Sequence, residues 1–297
     1  MSSSFVYNLK KKYKSLNLKK LEKINSNVFK IENKLFKVES ERFVELFSTI
    51  EKIYNFYGRK FIPKYELILE PNIFSYDYIK GTQLFRYEPL TNNWFNNIFY
   101  KNKIERQNII IKNLTNFIKK TFEISPKDFK EIPLDKNNIY PEIEYFNIIE
   151  NNFIDIFSKK DKKIYLEVKK IFNKYKNKKY NLNNKLIYFS DCYSHNIILG
   201  NDNSITQIDL TAGFQFVDFN KYSHKYISML WAFNEEAVNY CINKCNLNYK
   251  NNFIKEKSFV YYITHQLVQH YKRYQYNKND TDYIKNKFYK ISTKMAF

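Results

Sequence analysis

Glycine is nearly missing from this chain of 297 residues: there are four, at positions 58, 81, 200 and 213, and none before Gly58. That excludes a Walker phosphate loop and a dinucleotide-binding fingerprint, both of which need glycines clustered in one turn. Cysteine is scarce too. Cys192, Cys241 and Cys245 cannot build a disulfide framework, and the four histidines complete no metal cluster with them. Cys241 and Cys245, four apart, read as buried free thiols on successive helical turns. Long apolar runs are also absent. Nothing approaches the ~18 residues a membrane helix needs. The opening MSSSFVYNLKKKYKSLNLKK has charge but no apolar core of a secretory leader. The expectation is a soluble, cytoplasmic protein with no membrane span.

Arginine is the remaining deficit. The chain has 50 basic residues and a net charge of +20, yet only Arg42, Arg59, Arg86, Arg106 and Arg273 are arginine. A basic balance points to a polyanion partner, but nucleic-acid readers lean on guanidinium forks. Here lysine, asparagine, isoleucine, tyrosine and phenylalanine are raised together, as AT-rich coding raises them. The same bias accounts for the 19% aromatic content. Charge and aromatics together therefore argue against nucleic acid as the main partner.

What is present is a core-forming chain, 44% apolar, with two textures. NVFKIENKLFKVES (27–40) alternates on both sides of Glu32-Asn33, as a tight hairpin does. ERFVELFSTIEKIYNFYG (41–58) spaces Phe43, Phe47, Ile50, Tyr54 and Tyr57 by three and four, and Gly58 suits the position just past a helix end. KYELILE (64–70) and NIFSYDYIKG (72–81) read as strands, the second ending at Gly81. From about residue 92 helical patterns dominate: 106–122, 225–245 and 259–274. A strand-rich lobe over 1–81 followed by a helical lobe over 82–297 is an α+β arrangement in two lobes.

One strand-like stretch interrupts the helical part. YFSDCYSHNIILGNDNSITQIDL runs from Tyr188 to Leu210. LIYFS leads in, NIILG and ITQIDL read as two strands, and GNDNS between them is a turn. With the turn centred between 202 and 203, Asn196 and Asp209 fall opposite each other, about 5 Å apart. Asp191 lies on the loop entering the hairpin. Three oxygen-bearing groups then converge at its open end. A Mg²⁺ site needs such groups, and phosphoryl transfer needs them with a carboxylate to take the acceptor's proton.

The D-x4-N spacing followed by I-D, with 18 residues from Asp191 to Asp209, resembles the catalytic loop of the aminoglycoside phosphotransferase and choline kinase family, which has a protein-kinase-like fold. KLFKV and FSYDYIKGTQL (74–84) are similar to the family's lysine strand and hinge. The resemblance implies an ATP-dependent phosphotransferase moving the γ-phosphate to a hydroxyl of a sugar, amino alcohol or similar metabolite. ATP (or GTP) and Mg²⁺ are its implied cofactors, and a nucleotide and a small-molecule acceptor its partners. It implies Asp191 as catalytic base, Asn196 and Asp209 as metal ligands, and Lys37 as the phosphate-binding lysine, steadied by a helix glutamate. Glu51 is preferred to Glu45 because it borders the apolar stripe on a helical wheel. Asp77 and Tyr78 fall in the hinge.

The chain departs from the family in two places. Phe189 stands where histidine usually precedes the base by two residues. No glycine-rich loop exists, so Asn25, Ser26 and Asn27 are the turn that would lend backbone N–H groups to the phosphates. These departures favour an alternative, a catalytically degenerate kinase-like scaffold. A protein Ser/Thr kinase is the third reading, opposed by the lack of an APE-like segment after Asp209. For the acceptor, Asp218, Trp231 and Glu235 are the candidates. Trp231 and Glu235, four apart on one expected helix, suit a cationic group through cation–π and charge attraction.

Overall fold

A computed structural model of the chain describes residues 7, 11, 14, 20–24, 28–38, 47–68, 73–83, 104–124, 166, 169–170, 173, 185–189, 196–208, 210, 214–247, 254–259 and 261–262. The first lobe is built on one antiparallel sheet. Its strands are β1 (Glu22–Lys23), β2 (Val28–Ile31), β3 (Lys34–Val38), β4 (Tyr65–Ile68) and β5 (Ile73–Asp77), in the order β1-β2-β3-β5-β4. The β2–β3 hairpin turns at Glu32-Asn33, with Ile31 opposite Lys34, as the alternation predicts. Glu32 takes φ 55°, a left-handed conformation that glycine usually supplies.

Helix α1 (Phe47–Tyr57) buries Thr49, Ile50, Ile53 and Tyr57. Gly58 ends it at φ 83°, its N–H donating to the Tyr54 carbonyl at 2.7 Å. This is the left-handed cap expected after the last apolar position.

The expected end of the hinge strand needs correcting. Strand β5 stops at Asp77, and Gly81 opens a new strand, β6 (Gly81–Gln83), rather than closing the old one. β6 lies against β8 (Ile197–Gly200), which pairs with β9 (Ile205–Gln207), giving a three-stranded sheet β6-β8-β9. The reason Gly81 is glycine is space, not a turn. A methyl group there would run into the Leu199 carbonyl and fall 2.8 Å from the Ile198 side chain.

The large lobe centres on α2 (Ile104–Glu123), whose Ile110, Leu114, Phe117 and Ile118 are buried. Strand β7 (Lys185–Phe189) pairs antiparallel with β10 (Phe214–Asp218), Phe214 opposite Phe189. β10 leads directly into α3 (Phe219–Ser228). The periodicity over 225–245 predicts one helix; the structure has three pieces. After α3 comes a 3₁₀ turn, Met229–Ala232, and then α4 (Glu235–Lys244). Asn234 is extended and its side chain accepts the Ala237 N–H at 2.8 Å, starting a new helix. A good N-cap residue inside an apolar period was the missed signal. Cys241 and Cys245 are free thiols with sulfurs 3.9 Å apart, and burial pushes the Cys241 thiol up. No helix among the described residues is long and apolar enough to cross a membrane.

Gly81→Ala is expected to destabilise the chain by about 1–3 kcal/mol, because the added methyl meets backbone that cannot rotate away. Thermal unfolding beside the wild type measures this. An unchanged midpoint would mean that β6 does not sit so close to β8.

Candidate active site at the β8–β9 hairpin

The hairpin forms where expected, but its register is one residue off the symmetric pairing. Ile197 lies opposite Gln207, Ile198 opposite Thr206 and Leu199 opposite Ile205. Asn196 therefore faces Ile208, whose N–H donates to the Asn196 carbonyl at 2.7 Å. The turn is centred on Asp202 rather than between 202 and 203. Gly200 bonds to Ser204 at 2.9 Å, and Asn203 takes φ 62° to close the loop. The Asp202 carboxylate accepts from the Ser204 hydroxyl at 2.6 Å and its N–H at 3.0 Å, and these bonds hold its carboxyl below the usual range. Asp202 and Asn203 are turn residues, as their types suggest.

Asp191 and Asp209 lie outside the described residues; β7 ends two residues before Asp191, and Ile208 and Leu210 flank position 209. Before Asp191, β7 is held by β10 and by the buried Tyr226 hydroxyl, which donates to the Ile187 carbonyl at 2.9 Å. Around Asp209, Ile208 bonds to Asn196, and the Leu210 N–H donates to the Tyr65 hydroxyl at 3.4 Å. Asn196 itself is 7% exposed at the entry to β8.

Cross-strand neighbours share one face of a sheet. Lys37 lies opposite Val28 and Phe74, and the Phe74 ring stacks 6.0 Å from Phe47 of α1. Lys37, half-buried, is therefore on the face that α1 covers. Tyr65 pairs with Tyr76, which pairs with Leu35, two residues before Lys37. Tyr65 thus belongs to the same face, and it is the residue that binds Leu210. One face of the small-lobe sheet meets α1 and the segment leaving β9 together. Glu51 is exposed on α1, next in sequence to the buried Ile50. Glu45, the other glutamate considered, lies outside the described residues, as do Asn25, Ser26 and Asn27.

The hinge offers backbone rather than side chains. The Tyr78 N–H is bonded to the Asn33 carbonyl at 2.7 Å, and its half-exposed ring lies 4.4 Å from the Lys30 ammonium. Exposed Asp77 is engaged on the outer surface by Arg59 at 3.4 Å and Lys34 at 4.0 Å. Backbone groups alternate in direction along a strand. With the Tyr78 N–H bonded to Asn33, the Asp77 carbonyl at the end of β5 points away from β3.

The acceptor candidates do not come together as expected. Trp231 is fully buried, its indole N–H donating to the Ser258 hydroxyl at 2.8 Å and its ring 4.9 Å from Phe259. Glu235 lies across the Phe233–Asn234 break on a different helix and accepts from Lys255. They share no helical face, because the helix ends between them. Asp218 ends β10 where α3 begins, the place of a cap. Lys257 and His224 are also buried in this part of the lobe, and burial lowers Lys257 to about 7 and holds His224 well below its usual value.

The sequence matches no protein-family model and no curated protein. Solved structures do resemble it over nearly the whole chain. A mutant of aminoglycoside 2′-phosphotransferase-IIIa bound to GDP aligns over 97% of both chains with TM-score 0.56 and 10% identity. Macrolide 2′-phosphotransferase MphH from Brachybacterium faecium aligns over 96% of this chain and 97% of its own, with TM-score 0.53 and 6% identity. The gentamicin complex of APH(2″)-IIa aligns over 97% and 96%, with TM-score 0.51 and 17% identity. The chain therefore has the two-lobed α+β, protein-kinase-like fold of the aminoglycoside and macrolide phosphotransferases.

The Glu235–Lys255 pair is mostly buried on both sides, at 24% and 16% side-chain exposure. Glu235→Gln should cost about 1–3 kcal/mol by stranding the Lys255 charge, while Mg²⁺-nucleotide affinity stays at its wild-type value. Parallel melting and nucleotide titration test both halves. Unchanged stability would mean that the ion pair does not hold α4 in place.

Proposed function

We propose that the chain is a small-molecule kinase, moving the γ-phosphoryl group of ATP (or GTP) to a hydroxyl of a sugar, amino alcohol or similar metabolite. The observation that carries this reading is the pair of bonds flanking position 209: Ile208 to Asn196, and Leu210 to Tyr65 on the Lys37 face. They bring the chain on either side of position 209 to the asparagine of the hairpin and to the sheet face of Lys37, which favours Asp209 as a metal ligand. Residues 1–81 would form the nucleotide lobe and 82–297 the catalytic lobe.

The residue types fit a magnesium site. Asn196 and Asp209 supply hard oxygens, which Mg²⁺ prefers, and Asn196 stands at the hairpin's open end. Bound there, the ion would neutralise charge on the transferring phosphates. Lys37 would pair with the α- and β-phosphates and Glu51 would orient it. Asn25, Ser26 and Asn27 would offer N–H groups to the phosphates. At the hinge, the Asp77 carbonyl would recognise the base edge, with the Tyr78 ring beside it. Asp191 would orient the acceptor hydroxyl and hold its proton as the bond to phosphorus forms.

Asp191→Asn should keep nucleotide binding and cut turnover by about 10²–10⁴, the usual worth of a general base. Asp209→Ala should abolish Mg²⁺-dependent nucleotide binding, with Asn196→Ala weaker in effect, since an amide is the poorer ligand. A thermal shift with ATP and Mg²⁺ against ATP alone, then ATP consumption over a panel of hydroxyl-bearing metabolites, tests the reading. Wild-type turnover in Asp191→Asn would remove the catalytic loop from consideration.

Lys37→Ala should raise the KM for nucleotide, lower kcat, or both. Lys34→Ala, whose ammonium is engaged on the opposite face by Glu66 at 3.2 Å, should do neither. Equal small effects from the two would make Lys37 an ordinary strand lysine.

A further inference from the structure

Asn113 is a buried amide, 8% exposed, on an α2 face otherwise made of Ile110, Leu114 and Phe117. Its Nδ2 donates to the Asn203 carbonyl at 2.7 Å, and its Oδ1 accepts from the Lys60 ammonium at 3.0 Å. Asn203 is the left-handed residue that closes the β8–β9 turn. Lys60 lies in the connector between α1 and β4, and the Lys60 carbonyl accepts the Thr206 hydroxyl at 3.2 Å. One amide therefore joins α2, the connector and the tip of the hairpin. An apolar residue would fill the same space, but it could neither donate to Asn203 nor accept from Lys60.

We infer that Asn113 is a positioning residue for the metal site. This rests on the reading above, in which the hairpin's open end holds Mg²⁺-nucleotide through Asn196. The hairpin is short, four residues in β8 and three in β9 at ~3.3 Å each, and cross-bonded throughout. A rotation of its tip is therefore carried to its open end. Fixing the tip to α2 sets the angle at which Asn196 is presented. Outer partners that orient metal ligands are typically worth ten-fold or more in metal affinity.

The test is Asn113→Asp, which keeps the volume and the Lys60 partner but replaces the donor to Asn203 with an acceptor. Binding of a fluorescent ATP analogue is titrated with Mg²⁺, and again in EDTA, well below each variant's melting point. The expected result is a Mg²⁺ half-saturation raised about ten-fold, with analogue binding in EDTA at the wild-type level. Lys60→Met, at an exposed position of the connector, should shift it in the same direction by less. Ile110→Val, which trims the same helix in the core, should lower the melting temperature and leave the Mg²⁺ requirement alone. A wild-type Mg²⁺ requirement in both Asn113→Asp and Lys60→Met overturns the inference while the kinase reading stands. An equal shift in Ile110→Val overturns it too, by showing a general effect of loosened packing. If the wild type binds the analogue no better with Mg²⁺ than in EDTA, the metal reading falls and this inference with it.

Discussion

The β8–β9 hairpin is held by backbone on both edges, and the rest of the candidate site depends on that. On one edge β6 pairs with β8 across the close approach at Gly81. On the other, the Gln207 N–H donates to the Phe61 carbonyl at 2.7 Å, beside the Thr206–Lys60 bond. A two-stranded hairpin alone is marginal in water. Flanked on both sides, it becomes a fixed part of the interior, with Ile197, Leu199 and Ile205 all buried. The strand edges are also the links between lobes. β6 continues from the hinge, and Phe61 follows the Gly58 cap of α1, with its N–H bonded to the Gly58 carbonyl at 3.0 Å.

Those links give the small lobe two anchors of different kinds. The sheet meets the hairpin through Tyr65 and Leu210, a hydroxyl contact of 3.4 Å at the long end of hydrogen bonding. The end of α1 is held more firmly. Buried Tyr57 donates to Thr121 of α2 at 3.0 Å, and the Lys120 ammonium donates to the Phe56 and Tyr57 carbonyls at 3.0 and 3.3 Å. Carbonyls of a helix's last turn run out of intrahelical donors, so a lysine there also answers the negative end of the helix dipole. Phe61 and Tyr57 both pack on Phe117, extending the contact into the apolar core of α2. The C-terminal end of α1 is thus tied to the large lobe, while Lys37 sits on the sheet.

Most of the fold was legible because it rests on period and punctuation. The β2–β3 hairpin, α1 with Gly58, α2, and β7 to β9 follow from alternation, from spacings of three and four, and from turn residues. What escaped depends on partners distant in sequence. β6 is Gly-Thr-Gln, which has no strand signature of its own and exists only because β8 accepts it. β10 draws its strand character from β7, a partner some 25 residues or more earlier in the chain. The one-residue register error arose at Asn203. Its left-handed conformation closes a turn centred on Asp202 rather than between 202 and 203, and such a choice follows from geometry rather than from composition. The expected helix over 225–245 failed for the opposite reason. Its apolar period is real, but Asn234 caps a new helix inside it, and that break separates Trp231 from Glu235.

The scarcity of glycine has a structural counterpart. Among the described residues, three that are not glycine occupy the left-handed region: Glu32, Asn203 and Asn246. Each carries a cost of about 1 kcal/mol that glycine would avoid, and asparagine, plentiful here, is among the residues that bear it most easily. Two of the three sit where the site is shaped. Glu32 turns β2 into the strand that carries Lys37, and Asn203 turns β8 into the strand that leads to Asp209. The carbonyl of Asn203 is also the one that Asn113 binds. A chain poor in glycine has used asparagine both as the turn residue and as the amide that holds the turn in place.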